Sequence, residues 1–153
     1  MPSIVPCLWF DDQAEEAVAF YRSVFAGSKG GPRLMVGEGP ERKLLTAGYE
    51  LEGQRFLALN GGPHFQFTEA VSFIVECADQ AEVDHLWDKL LDGGRAAQCG
   101  WLKDRYGLSW QIVPTQMFAL LQDPDAAASK RVLDAVMGMI KLDLAELRRA
   151  QAG

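Results

Sequence analysis

Hydrophobic and polar positions change period several times along the chain, and each change marks an element. Ile4–Phe10, "IVPCLWF", is a short apolar run that predicts a buried strand. After the polar "DDQ", the spacing becomes helical, with Ala14, Ala17, Val18, Tyr21, Val24 and Phe25 on one face. Asp12 with Glu15 three residues on predicts a capping box at the start of this helix, and Gly27 predicts its stop. "GSKGGPR" reads as that stop and a loop. Between Arg33 and Gly62 the pattern predicts three strands, with Glu52-Gly53 as the hairpin turn between "LLTAGYEL" and "RFLALN". "NGGPHFQFTEA" then reads as a turn-rich loop.

The pattern starts again at "AVSFIVEC", a second buried strand. It is followed by a helix over "ADQAEVDHLWDKLLDGG", with Val83, Leu86, Trp87, Leu90 and Leu91 on one face and Gly93-Gly94 as its stop. The tetrapeptide Asp-Gln-Ala-Glu opens both helices, at Asp12–Glu15 and at Asp79–Glu82. Further strands follow at "AAQCGWLKD" and "LSWQIVP". The order strand–helix–strand–strand–strand therefore occurs twice, an internal repeat of supersecondary units. The expected fold is α+β: paired βαβββ modules, about 1–62 and 63–115, with a helical tail over 116–153, all in one domain. In the tail, Asp123-Pro124 is expected to cap a helix with Pro at its first position. Val132, Leu133, Val136, Met137 and Ile140 form an apolar stripe on that helix, and Gly138 weakens its end. Asp143 with Glu146 predicts a capping box opening "LAELRRAQA".

Composition adds limits. The chain has 153 residues, 48% of them hydrophobic, which suffices for one real core. No apolar run approaches the about 18 residues of a membrane helix. "MPSIVPCLWF" lacks a basic region and a cleavage site, so a cytoplasmic location is expected. With 15 basic against 21 acidic residues and a net charge of −6, there is no basic face for nucleic acid. Lys130-Arg131 and Arg148-Arg149 read as solvated charges on helix surface. The three cysteines form no CxxC; Cys7 and Cys77, in apolar strands, read as small buried hydrophobes, and nothing supports a reactive Cys99.

Several stretches carry a resemblance: "FDDQAEEAVAFY", "LNGGPHFQFTEAVSFIVEC", "DQAEVDHLWDKL" and "CGWLKDRYGLSWQIVPT". With the doubled βαβββ pattern, they resemble the vicinal oxygen chelate superfamily of glyoxalase I, bleomycin-resistance proteins and extradiol dioxygenases. More narrowly they resemble its PhnB-like branch, whose members often carry the label demethylubiquinone methyltransferase. The resemblance implies two modules whose sheets curl into a cup, usually completed in a homodimer. In metal-using members, His and Glu ligands project from the first and last strands of each module and polarise substrate oxygens as a Lewis-acid site. Here the first strand offers only Cys7. "RFLALN" ends in Asn60, "EAVSFIVEC" has no His, and the last strand carries Gln111 where the metal enzymes have Glu. Asn and Gln are weak ligands for Zn²⁺ or Ni²⁺. His64 is the one histidine near the cup, and His85 sits off the apolar face of its helix. No dedicated metal and no cofactor is expected.

The strand "LSWQIVP" places Gln111 among residues that should be buried. Either the amide is a polar group of a pocket, facing a ligand or Asn60, or it satisfies backbone groups within the sheet. Alternation puts Trp110 on the opposite face, in core or interface. In "NGGPHFQF", His64 could serve as acid–base or ligand donor and Phe65 and Phe67 as pocket walls; alternatively the loop joins the modules and its rings pack at a dimer seam. Trp9 and Trp101 would help line an aromatic cup. No G-x-S-x-G occurs and no His is placed beside Ser72, Ser109 or a cysteine, so no catalytic residue is assigned.

The expected ligand-binding set is Gln111, His64 and Asn60, with Phe65, Phe67, Trp101, Ser72 and Cys7 around them. The leading expectation is small-molecule recognition without a tightly bound metal, in a homodimer that uses neither nucleic acid nor membrane. Competing classes are a metal-dependent lyase, isomerase or dioxygenase using His64 and Gln111, and a structural or protein-interaction dimer. Methyl transfer is not expected, because "GSKGGPR" lies in no βαβ unit and opens no helix.

Overall fold

A computed structural model describes all residues, 1–153. The chain divides into two compact units, Met1–Phe67 and Thr68–Gly153. Each holds a four-stranded mixed sheet, and the two sheets share one topology.

In the first unit, β1 (Cys7–Phe10), α1 (Ala14–Val24), β2 (Ser28–Val36), β3 (Lys43–Leu51) and β4 (Gln54–Asn60) form the sheet order β1-β4-β3-β2. β1 runs parallel to β4, which α1 makes possible as the crossover; the other pairings are antiparallel. Glu52 and Gly53 turn β3 into β4, both with positive φ (47° and 85°), the conformation of a type I′ hairpin. One face of the sheet buries Leu8, Phe10, Ala47, Tyr49, Phe56 and Ala58, where α1 supplies Ala14, Ala17, Tyr21 and Val24. Tyr49 stacks between Tyr21 and Phe56, with ring centroids 6.3 and 5.3 Å apart.

Three expectations for this unit change. The first strand is confined to its last four residues. "GSKGGPR" is not a loop: Ser28 onward pairs with β3, and a register shift between Gly30 and Arg33 absorbs the glycines and the proline. Nor does Asp12 cap α1. The helix begins at Ala14 with no side-chain cap from its own segment. The Ala14 N–H instead donates to Asn60 Oδ1 at 2.8 Å, and Glu15 turns outward to Arg33 at 2.7 Å.

In the second unit, β5 (Ser72–Cys77), α2 (Gln80–Leu91), β6 (Arg95–Ala96), β7 (Trp101–Lys103) and β8 (Ser109–Pro114) repeat the order as β5-β8-β7-β6. Here the capping box forms: Asp79 accepts from Glu82 N–H and Glu82 accepts from Ala78 N–H. Val83, Leu86, Trp87 and Leu90 pack on a sheet face carrying Cys77, Leu102, Trp110 and Ile112. The turn from β7 to β8 is organised by Asp104, 3% exposed. Its carboxylate accepts from the backbone N–H of Tyr106 and Leu108 and from Trp110 Nε1.

The tail belongs to this unit and consists of α3 (Gln116–Leu121), α4 (Ala126–Gly138) and α5 (Leu144–Ala152). It has its own core of Met117, Leu120, Val132, Val136, Leu142, Leu144 and Leu147 against Val113. Asp143 caps α5 as expected. The cap of α4 is Asp125, not Asp123; Asp123 binds Asp125 N–H and Gln151 instead. Of the expected apolar stripe only Val132 and Val136 are buried; Leu133, Met137 and Ile140 are exposed, and Ile140 lies beyond the end of α4. Arg131 is not a solvated charge: it donates to Ala150 O and Gln151 O, closing the C-terminus of α5. Cys99 and Gly100 N–H donate to Met139 O and Ile140 O, so the tail extends the hydrogen bonding of a sheet whose β6 and β7 are short.

Candidate functional site

Each sheet has a face turned away from its helix, and most residues singled out from the sequence fall on or beside those faces; Asn60 and Phe67 instead lie on the helix side of the first sheet. In the first unit, register and alternation place Cys7, Trp9, Leu57, Leu59, Thr46 and Gly48 on one face. Trp9 is half-buried. Its Nε1 donates to Gly62 O at 2.9 Å, and Phe65 meets its ring edge-on at 4.9 Å. A side chain at Gly61 would collide with that indole, which accounts for the glycine. Phe67 packs edge-on against Phe10 at 5.5 Å. His64 is exposed, and its backbone N–H donates to Gly62 O. Cys7 is exposed rather than buried, although local desolvation raises its thiol pKa.

Asn60 has both ends of its amide engaged in the fold. Oδ1 accepts from Ala14 N–H and Nδ2 donates to Leu44 O at 3.2 Å. A second feature of this unit, a cavity of about 720 Å³ between β2 and the outer face of β3 and β4, involves none of the residues singled out from the sequence.

In the second unit, Ser72 and Ile74 of β5, Ser109 and Gln111 of β8, and Trp101 and Lys103 of β7 share a face. Gln111 Nε2 donates to Ser72 Oγ at 2.9 Å, a side-chain partner rather than a backbone one. Trp101 is the register partner of Gln111 and is half-buried. Ser109 lies beside Ser72 in register, is 1% exposed, and its hydroxyl has no hydrogen-bond partner. Lys103 pairs with Glu69, whose carboxyl pKa is lowered chiefly by that lysine. Trp110 points the other way, into the core. The structure thus brings Gln111, Ser72 and Trp101 together, and groups Cys7 and Phe65 around Trp9. Ser109 went unassigned from sequence because a serine in an apolar strand carries no signal until its neighbours are known.

The remaining chemistry is sparse. No three His, Cys, Asp or Glu side chains gather in a group able to hold a metal ion. Cys77 is buried, and desolvation followed by the nearby Glu82 pushes its thiol pKa to about 12, which removes it as a nucleophile. No helix is long and apolar enough to cross a membrane.

This doubled βαβββ architecture is shared with known structures. The fosfomycin resistance protein FosX from Listeria monocytogenes aligns with a TM-score of 0.51 at 14% identity, over 73% of this chain and 91% of its own. A Pseudomonas aeruginosa protein aligns at 0.62 and 21% identity, covering 74% and 98%. Both likenesses show the fold alone. Residues 2–113 match the family described as 3-demethylubiquinone-9 3-methyltransferase, and the chain belongs to that PhnB-like family. A PhnB protein from Bacillus cereus bearing the same methyltransferase label is 32% identical, with a TM-score of 0.67 over 74% of this chain and 99% of that one. No curated protein matches the chain. The family match ends at Val113, so the whole helical tail lies beyond it.

Proposed function

We propose that the protein recognises a small molecule on the outer face of its second sheet, without a tightly bound metal. The observation that carries this reading is the part-buried Gln111–Ser72 pair, set beside Trp101 on that face. Trp101 supplies an aromatic wall to the same face, and Gln111 still has its carbonyl oxygen to offer.

The donors present do not fit the divalent ion that the superfamily implies. Asn60 is committed to Ala14 and Leu44, Gln111 is a neutral amide, and no cluster of stronger ligands accompanies either. The methyltransferase label finds equally little support. A methyl donor is commonly held by a Gly-rich turn between a parallel strand and a helix, whereas "GSKGGPR" here enters an antiparallel edge strand.

The test pairs metal analysis with a ligand screen. Protein exposed to Zn²⁺, Ni²⁺, Mn²⁺ and Fe²⁺ and then dialysed is expected to retain no stoichiometric metal by mass spectrometry. A compound that raises the Tm of the wild type should bind Gln111→Ala about tenfold more weakly, as for loss of one buried hydrogen bond. A stoichiometric metal that is lost in Gln111→Ala would overturn the reading and point to metal-assisted chemistry.

A further inference from the structure

We propose that the cavity of the first unit is a separate binding site, for a small ligand with an apolar body and one anionic group such as a carboxylate or sulfonate. Its volume, about 720 Å³, lies within the range of small-molecule sites. Glycines allow β2 to approach β3 closely along one side of it. A Cβ on Gly48 would come within 3.2 Å of Pro32, and one on Gly31 within 3.0 Å of the Gly48 backbone. The bulge between Gly30 and Arg33 therefore seats Gly31 and Pro32 directly on Gly48, at the edge of the cavity. Leu57, Thr46 and Leu34 give the apolar and hydroxyl parts of the wall, and Leu34 is 52% exposed despite its size.

Charge decides the ligand class. The wall carries Lys29, Arg33 and Arg55 against a single Glu50, in a chain whose net charge is −6. Two of these cations are already matched: Lys29 lies 3.7 Å from Glu50, and Arg33 pairs with Glu15. Arg55 forms no ion pair, and it stands opposite Glu50 in the β3–β4 register, on the face that lines the cavity. A guanidinium presents a fork of donors suited to a carboxylate, phosphate or sulfonate. All residues lining the cavity belong to the first unit, whereas Gln111 belongs to the second.

Two dyes sharing an aromatic scaffold test this on the full chain: 8-anilinonaphthalene-1-sulfonate, which is anionic, and the neutral N-phenyl-1-naphthylamine. Fluorescence titration should show the anionic dye binding about tenfold tighter, and Arg55→Gln should abolish that preference while leaving the neutral dye unchanged. Arg42→Gln, an exposed arginine outside the cavity, controls for net charge and should retain the preference. Gly48→Val should exclude both dyes; far-UV circular dichroism checks that it folds, and Arg55→Gln remains decisive if it does not. Equal affinity for the two dyes, or an Arg55→Gln variant behaving like Arg42→Gln, would overturn the proposal. Gln111→Ala should leave dye binding intact; a loss there as large as in Arg55→Gln would place the dye on the second sheet and overturn it as well.

Discussion

Where Asn60 faces the last residue of β1 in the first unit, Pro114 faces the last residue of β5 in the second. That single difference reorganises how the two helices begin. Asn60 reaches the Ala14 N–H from the end of β4, so α1 needs no cap from its own segment. Pro114 has no polar side chain to offer, and Asp79 caps α2 locally with Glu82 answering. The same tetrapeptide, Asp-Gln-Ala-Glu, thus forms a capping box in one copy and none in the other. Gln116 ties the second junction from outside the strand, donating to Ala78 O. The turns diverge too: the first hairpin relies on backbone with positive φ at Glu52 and Gly53, the second on the buried carboxylate of Asp104. Repetition has kept the topology and the apolar faces while the polar connections were solved separately in each copy.

The largest expected effect lies in the second turn. Asp104→Ala leaves two backbone N–H groups and an indole N–H without their acceptor, and should cost about 3 kcal/mol in urea denaturation. Asp104→Asn, which keeps one acceptor oxygen, should recover part of it. A cost below that of an ordinary surface substitution would mean the turn is held by its neighbours and the contrast with the first hairpin is false.

Next come the caps. Asn60→Ala should cost about 2 kcal/mol and Asp79→Ala about 1 kcal/mol, because Asn60 loses a second bond, to Leu44 O, as well as the one to the helix. Equal costs, or the reverse order, would show that the long-range cap is no stronger than the local one.

The smallest effect concerns the tail, which has no counterpart in the first unit. Lys141 pairs with Asp84 of α2 at 2.8 Å, and the hydrogen bond from Lys141 holds the Asp84 carboxyl below its ordinary pKa while raising that of the lysine. A depressed carboxyl pKa contributes stability above its unfolded value and loses it as pH falls through the folded one. The raised lysine contributes until pH rises through its folded value, so the acid limb belongs to Asp84. Thermal melts of wild type and Asp84→Asn should differ slightly at neutral pH, by about 0.5 kcal/mol for so exposed a pair, and converge in acid. A difference that persists below the carboxylate range would assign the tail's attachment to Gln80, whose amide bonds Leu142 O and Leu144 N–H.

Much of the fold was legible in the chain because apolar periodicity is a local signal. The two helices, the Glu52-Gly53 turn, the doubled βαβββ order and the Asp143 cap all rest on residues a few positions apart, and each of them is present. Candidate chemistry was less legible. Gln111 stood out as polar among apolar neighbours, but its partner Ser72 comes from a strand 39 residues away. Ser109 and Arg55 had no signal, since nothing near them in sequence marks an unpaired hydroxyl or a cation facing a cavity.

What the sequence determined by itself is the order of elements and the face each one buries, because the 3.6- and two-residue periods leave few alternatives for where apolar surface can go. Tertiary structure alone decided which polar groups meet and what is covered: that Asn60 caps α1, that "GSKGGPR" becomes a bulged strand, that Cys7 is exposed and that only Val132 and Val136 of the tail's apolar stripe are buried. The physical reason is range. Hydrophobic burial is non-directional and can be read from pattern, whereas a hydrogen bond needs a donor and an acceptor within about 3 Å, and only the folded chain brings those two atoms together.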